Sequence, residues 1–432
     1  MSVIAILGAN GLIGNALTMD LKRRGFAVRG IARRFTPAQR ATLGDAAVET
    51  SVVSLSQTEL AKLLDDADIV VNTIGILQGA ESVAVHCEFA ARLAAVCAAA
   101  PGRLLIHLSI LGQEQDDRTV YSRSKREGER AIAASGAPHV ILRPGFVIAP
   151  AAYGGSALMR ALAALPLDLS SKESGARFAA VAISDLCDTV AWVAVRWRNG
   201  ERNWRKTWDV MEQSPGTVGG IVAAFRAHQG GSKPLLALPS CMLAPGVIAG
   251  DMAAWLGWRP PIRSTAIQEL RRGVAGNPRP WIDETGITPL SASEAVAAIP
   301  ATVQEKWFAR LFLLKALGFV CLVIFWCASG TIVLTMAFAA ARQILLDHGF
   351  SFALAQGVTI GSSLLDISVG LLIAFRRTSR IGLIVGILVS LGYMFGSAVI
   401  TPELWVEPLG ALVKTGPAIV LMLFCLAILD DR

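Results

Sequence analysis

Three side chains of this 432-residue sequence have the types and spacing to move a proton: Ser109, Tyr121 and Lys125. Tyr121-Ser122-Arg123-Ser124-Lys125 sets a phenol and an amine four residues apart, on one face of a helix, where an ammonium near the phenol favours the phenolate. A phenol tuned in this way can give a proton to a carbonyl or take one from an alcohol. Ser109 follows Arg103-Leu104-Leu105-Ile106-His107-Leu108, a predicted strand, and a hydroxyl at that exit can hydrogen-bond the reacting oxygen. Tyr and Lys four apart are common in helices; the elements around them decide whether they act together.

The N-terminus supplies those elements. Ser2 to Leu7 reads as a strand, Gly8-Ala9-Asn10-Gly11-Leu12-Ile13-Gly14 as a glycine loop, and a helix runs on toward Arg24. Gly8 permits the tight turn, Gly11 lets the backbone approach a pyrophosphate, and Gly14 lets helix and strand pack closely, so backbone N–H groups face the phosphates. The spacing is G-x-x-G-x-x-G, a variant of the usual dinucleotide pattern. A second strand, Ala27 to Ala32, ends at Arg33 and Arg34, which favours the 2′-phosphate of NADP over the ribose of NAD. A third strand is expected within Val48 to Leu55, and a fourth, Ile69 to Ile74, ends at Gly75, which should pass close beneath the cofactor. An alanine-rich helix follows from about Glu81 to Ala100, and Val140 to Gly145 reads as the sixth strand. The fold class is α/β, a Rossmann-type doubly wound parallel sheet.

Residues 1 to about 300 resemble the short-chain dehydrogenase/reductase superfamily, in its atypical or extended branch of NAD-dependent epimerase/dehydratase-like and NmrA-like proteins. The resemblance rests on Gly8 to Gly14, Asn72-Thr73-Ile74-Gly75, Leu108-Ser109-Ile110-Leu111-Gly112, Tyr121 to Lys125 and Leu142-Arg143-Pro144-Gly145. Bacterial relatives of the nucleotide-binding accessory subunit of respiratory complex I are the nearest in look. The resemblance implies Tyr121 as acid/base, Lys125 on the nicotinamide ribose and the tyrosine, and Ser109 as polariser. It also implies a cofactor site of Gly8, Asn10, Gly11, Leu12, Ile13, Gly14, Arg33, Arg34, Thr73 and Gly75, with Val181 to Leu186 closing the sheet as its seventh strand. One departure is Ser54, which stands where relatives often carry an adenine-contacting Asp.

With 53% hydrophobic residues and a mean hydropathy of +0.52, the chain is too apolar to be wholly soluble. Four apolar runs, about 311–338, 353–375, 381–400 and 409–429, are each long enough to span a bilayer, so an all-α four-helix transmembrane bundle (301–432) is expected after the Rossmann domain (1–300). Arg376, Arg377 and Arg380 stand between the second and third runs, and Glu403 and Glu407 between the third and fourth, which places both chain ends in the cytoplasm of a bacterial inner-membrane type of protein. Gly382, Gly386, Gly392 and Gly396 offer small positions for helix contact. The region resembles the DoxX-like four-helix membrane module through Trp405-Val406-Glu407-Pro408-Leu409-Gly410 and Lys414-Thr415-Gly416-Pro417. Asp366 lies inside a span and asks for partners, while Lys414 can snorkel to the interface.

The N-terminus has no basic flank before its apolar run, which argues against a signal peptide. Seven scattered cysteines without C-x-x-C spacing suit buried thiols in a reducing compartment, and no metal site is expected. A net charge of +7 without a basic, aromatic-interleaved run argues against nucleic acid. Trp192, Trp197, Trp204 and Trp208 read as core or interface aromatics. Arg259, Arg263, Arg271, Arg272 and Arg279 read equally well as facing lipid headgroups or as a solvated surface. Two functions stay open: a membrane-anchored NADP-dependent oxidoreductase or epimerase acting on an apolar, lipid-like substrate, or a non-catalytic NADPH-binding subunit of a membrane complex. Homo-oligomerisation is equally open.

Overall fold

Successive residues of a strand face opposite sides of a sheet. In β1 (Val3–Leu7), Ile4 and Ile6 enter one hydrophobic core while Ala5 and Leu7 enter a second, all with no exposure. A strand covered on both faces carries no polar side, which accounts for the unbroken apolar run at the N-terminus. The computed structural model describes residues 2–77, 79, 81–406, 410 and 412–430.

The other strands are β2 (Ala27–Ala32), β3 (Ala47–Glu49), β4 (Ile69–Asn72), β5 (Leu104–Leu108), β6 (His139–Pro144), β7 (Phe146–Ile148), β8 (Leu167–Asp168), β9 (Ala180–Ala182), β10 (Arg205–Val210) and β11 (Leu236–Ala237). Seven form one parallel sheet in the order β10-β6-β5-β4-β1-β2-β3. Strand order reverses between β1 and β4, so the carboxyl ends of these two strands flank the crevice where this architecture takes ligands. One face is covered by the first helix (Leu12–Arg23) and the helix Ile183–Arg198, through Leu17, Leu21, Val190 and Trp197. The other is covered by Phe89, Leu93 and Cys97 of the helix Phe89–Ala98 and by Ile132. Each fully buried aliphatic of this kind contributes about 2 kcal/mol.

Two strand expectations are corrected. The third strand is only Ala47–Glu49; Val52 then tucks into the core within a short 3₁₀ turn, Val52–Ser54, and Ser54 donates to the Ser51 carbonyl at 2.8 Å. Residues 181–186 do not close the main sheet: β9 pairs with β7 in a separate ribbon, and Ile183 begins a helix. The seventh strand is β10, registered with Trp208 opposite Leu142, because it buries Trp204 and Trp208 edge-on against Trp192. A smaller core gathers Phe178, Val218, Phe225 and Val296 around the β7–β9 ribbon.

The chain divides into two compact units, Met1–Ile248 with Pro261–Ala309, and Ala249–Pro260 with Arg310–Arg432. Among the described residues, three helices are long and apolar enough to cross a membrane: Val303–Thr335, Phe352–Ala374 and Ser379–Ile400. A fourth apolar helix, Thr415–Ala427, has 13 residues, while Glu407, Pro408 and Leu409, on which part of the DoxX-like pattern and the start of the fourth expected span fall, lie outside the described residues. Within this second unit, Asp430 pairs with Arg376 at 3.1 Å and with Arg380 at 2.5 Å, and Lys315 donates to the Ile428 carbonyl. One end of the bundle therefore gathers the start of the first long helix, the arginine loop and the end of the chain. His348 and Glu403, 2.8 Å apart, lie together on other loops.

Gly382 and Gly386 are close-contact positions: an added Cβ would meet the Ile373 amide at 2.7 Å and Met422 Sδ at 2.8 Å. Gly392 and Gly396 face open space and do not share that role. Asp366 is buried and partnered, accepting from Ser329 at 3.0 Å and from the Tyr393 hydroxyl at 2.8 Å. Lys414 is exposed at the start of the fourth apolar helix. The cysteines are all free, yet Cys241 and Cys321 are exposed, which corrects the expectation of uniformly buried thiols.

Candidate functional site

The glycine loop is built by close approach rather than by side-chain chemistry. Gly8 has φ of 85°, a left-handed conformation that disfavours any Cβ. A Cβ on Gly14 would lie 2.2 Å from the Gly8 carbonyl oxygen, so only hydrogen fits where helix meets strand. Gly11 differs: its φ is −78° and an added Cβ would meet only the Gly8 carbonyl, at 3.3 Å. A methyl group at position 11 asks the Gly8 carbonyl to give by only a few tenths of an ångström, far less than at Gly14, whereas a ligand lying on the loop would meet it directly. No side chain caps the first helix, so the N–H groups of Leu12 and Ile13 stay available to an anion. Thr73 closes the far wall, its hydroxyl donating to the Leu7 carbonyl at 2.7 Å. Asn10 donates to the Arg34 carbonyl at 2.9 Å, which holds the exposed Arg33-Arg34 pair beside the loop. The nearest carboxylate, Glu49, is occupied by the Phe35 amide at 2.8 Å and by Arg40 at 2.6 Å. Together these residues fit a dinucleotide with its pyrophosphate at the helix start.

The helix Val120–Ala134 carries Tyr121 and Lys125 and is capped by Thr119, whose hydroxyl accepts the Ser122 N–H at 3.0 Å. Lys125 is buried and donates to the Leu108 carbonyl at 2.9 Å, one residue before Ser109. Burial lowers its amine to about 8. A Cβ on Gly75 would sit 3.4 Å from that amine, so the bare backbone at position 75 leaves room around it. Ser109 Oγ is buried with no hydrogen-bond partner, a hydroxyl left free at the exit of β5. The expected effect of Lys125 on the phenol is not what this geometry shows. Burial, followed by the nearby Glu269 carboxylate, pushes the Tyr121 phenol above its ordinary value, and the cation that opposes them is Arg272.

Two buried histidines that sequence reasoning passed over complete the wall. His86 Nε2 accepts the Ile76 N–H at 3.0 Å, so its proton is on Nδ1, which reaches Ser124 Oγ at 3.0 Å; Ser124 donates in turn to the Tyr121 carbonyl. The His86 ring stands edge-on to Tyr121 at 5.4 Å, and burial followed by Lys125 drives its pKa to about 3, so it is neutral. Asn72 accepts the Ile74 N–H and donates to His107 Nδ1 at 3.1 Å, which leaves the buried Nε2–H of His107 without a partner. Their only sequence signal is a histidine inside each of two apolar segments.

A charge network fixes the tyrosine helix from outside. Arg143, from the Leu142-to-Gly145 pattern, forks onto Glu129 at 3.0 and 2.5 Å, and Arg126 pairs with Asp117 at 3.0 Å. Asp117 also holds Arg272 at 2.7 Å, and Glu269 accepts from Thr119. The helix Ser264–Arg272 is thereby locked beside Tyr121. This corrects the reading of one arginine in the Arg259-to-Arg279 stretch: the Arg272 side chain is buried in ion pairs, while Arg271 stays exposed and binds the buried Glu173 at 2.8 Å. Breaking one partner of such a buried pair costs about 3 to 5 kcal/mol.

A family model described as NAD(P)H-binding matches residues 8–185, and one described as the DoxX-like family matches residues 323–423. A ceramide reductase of Caulobacter vibrioides is 31% identical over 157 residues, which are 35% of this chain and 47% of that protein. The match thus spans about half the length of the curated relative. Among solved structures, gox2253 aligns with a TM-score of 0.52 at 17% identity over 69% of this chain and 96% of its own. The Bordetella bronchiseptica enzyme WbmG, solved with NAD and UDP, aligns with a TM-score of 0.51 at 15% identity over 68% of this chain and 92% of its own. At these identities the likeness is one of fold. The chain joins a Rossmann-fold domain, matched over residues 8–185 by the NAD(P)H-binding model, to a helical region matched over residues 323–423 by the DoxX-like model.

Proposed function

We propose that this protein is a membrane-anchored, NAD(P)-dependent oxidoreductase or epimerase that works on the carbonyl or alcohol of an apolar, membrane-associated substrate. The observation that carries the reading is the free, buried hydroxyl of Ser109, next to the carbonyl that holds Lys125. A structural wall would have paired that hydroxyl; a substrate oxygen would pair it on binding. The nicotinamide, when bound, supplies or accepts the hydride. Ser109 donates to the reacting oxygen, and Tyr121 delivers the proton that turns it into an alcohol. A phenol held above its ordinary pKa keeps its proton at neutral pH, which suits the reductive direction. Lys125 holds the ribose, and Arg33 with Arg34 receives the 2′-phosphate, so NADP is the preferred form. The ceramide reductase match favours a lipid-like substrate. Orientation follows from the arginine loop at Arg376 to Arg380: the end of the bundle shared by Lys315, that loop and Asp430 faces the cytoplasm.

The test is Tyr121→Phe in the full-length protein, with NADPH and a membrane lipid extract as substrate source. Turnover should fall by two to four orders of magnitude while NADPH affinity stays within about twofold, since the lost hydroxyl faces substrate. Unchanged NADPH consumption and product formation in the variant would replace this reading by that of a nucleotide-binding subunit.

A further inference from the structure

Between Lys233 and Arg259 lie 25 residues with one charged side chain, Asp251. They contain the 13-residue helix Leu243–Trp255. Ile248, Met252 and Trp255, spaced i, i+4 and i+7, form one face of that helix and are 61, 64 and 82% exposed; Leu235, Leu236 and Met242 ahead of it are exposed to a similar degree. Six large apolar side chains facing outward along one segment are far outside the scattered exposure normal for a soluble surface. At 1.5 Å per residue the helix is about 20 Å long, too short to cross the hydrocarbon core.

The second half of this segment, Ala249–Pro260, belongs to the membrane unit. Trp258 donates to the Ala374 carbonyl at 2.7 Å, packs at a tilt against the Phe319 ring with centroids 4.7 Å apart, and lies under the Arg376 guanidinium. The Arg376 N–H in turn donates to the Leu256 carbonyl at 3.0 Å. The C-terminal end of the helix is therefore pinned at the arginine-loop end of the bundle, where the second long helix leaves its apolar span. Tryptophan and arginines beside the end of an apolar span are the side chains usual at the depth of a bilayer interface.

From this anchoring we infer that the helix Leu243–Trp255 forms an interfacial membrane element, with Ile248, Met252 and Trp255 embedded among the acyl chains of the leaflet on the arginine-loop side. The occupant is lipid for three reasons visible in the chain itself. The C-terminal half of the helix belongs to the unit that carries helices long and apolar enough to span a bilayer, its end is fixed at their arginine-loop end, and the basic Arg259 follows it there to meet anionic headgroups. This holds whichever reaction the Rossmann unit performs.

The test uses the full-length protein with its native cysteines replaced, carrying one cysteine at Met252 or, in a second variant, at Ile248, labelled with an environment-sensitive fluorophore. The protein is reconstituted in vesicles of phosphatidylethanolamine and phosphatidylglycerol, with a label at the exposed Asp45 as aqueous control. Lipids brominated along the acyl chain should quench the 252 and 248 labels at least twofold, and aqueous iodide should quench only the Asp45 label. Iodide quenching at 252 and 248 to the Asp45 level overturns the inference, as does protection from both quenchers together with disulfide linkage between two copies through position 252, which would make the occupant a second chain. The two variants cover a failure of either one to fold, judged by circular dichroism and monodispersity.

Discussion

The two ends of the candidate site are built on opposite plans. The cradle for the phosphates comes from one stretch of chain, Leu7 to Gly14, with Thr73 closing its wall, and works through backbone shape. The pocket around Tyr121 is assembled from β4, β5, the loop after β4, the helices Val120–Ala134 and Ser264–Arg272, and His86, and it works through buried side-chain charge and hydrogen bonds. The first plan tolerates no added volume at Gly14, where helix meets strand. The second tolerates little change in charge, because each buried group is balanced by a partner far away in sequence.

The sharpest way to break that contrast is to add one methyl group at each of two glycines. Gly14→Ala places a carbon 2.2 Å from a backbone oxygen, so helix and strand must separate; a loss of stability and at least a hundredfold loss of nucleotide affinity are expected. Gly11→Ala meets nothing nearer than 3.3 Å, so thermal unfolding should stay within a few degrees of the parent while nucleotide affinity still falls by tenfold or more. Calorimetric binding and a thermal melt on both variants check this. If Gly11→Ala binds as well as the parent, the dinucleotide does not lie on the loop.

This difference of plan also explains what could be read from the sequence. The strand, the glycine loop, Gly75 and the Tyr121-to-Lys125 spacing are local patterns, and the structure sets them around one crevice of a parallel sheet. The pairing of Arg272 with Asp117, 155 positions apart, has no local signature, so an arginine that closes the pocket looked the same as ones facing lipid or water. β10 was hidden for a related reason: Arg205 and Lys206 open it with polar side chains, and only the packing of Trp204 and Trp208 reveals the edge of the sheet. The unpaired hydroxyl of Ser109 is likewise a property of its surroundings, not of its type.

A smaller effect sharpens the cradle side. Arg33 and Arg34 are exposed and held beside Asn10, and the Glu49 carboxylate hydrogen-bonds to Arg40 and the Phe35 amide, so neither guanidinium is tied up in a hydrogen-bonded ion pair with it and both can meet a 2′-phosphate. Replacing both by Ser should erode the preference for NADPH over NADH by about tenfold, or 1.4 kcal/mol, and leave NADH affinity nearly unchanged. Equal affinities for the two cofactors in the parent would break the reading.

The smallest expected effect lies at Lys125, where the two plans meet, and its sign can be worked out in advance. Burial lowers the amine from an ordinary 10.5 to about 8. Below pH 8 the ammonium is present and can donate to a ribose hydroxyl; above it that charge-assisted bond weakens. NADPH affinity should therefore fall as pH rises from 7 to 9, by at most tenfold per unit, and Lys125→Met should be weaker at pH 7 and flat across the same range. Stability has the opposite sign. Between pH 8 and 10.5 the unfolded chain carries the proton on Lys125 and the native chain does not, so this residue's contribution to native stability increases with pH over that interval. A group that only packed the core would move stability alone. Affinity and stability moving in opposite directions in the parent, with both trends removed in Lys125→Met, would mark Lys125 as the link between the backbone cradle and the proton-transfer pocket; a parent affinity that stays level from pH 7 to 9 would remove it from the cofactor site.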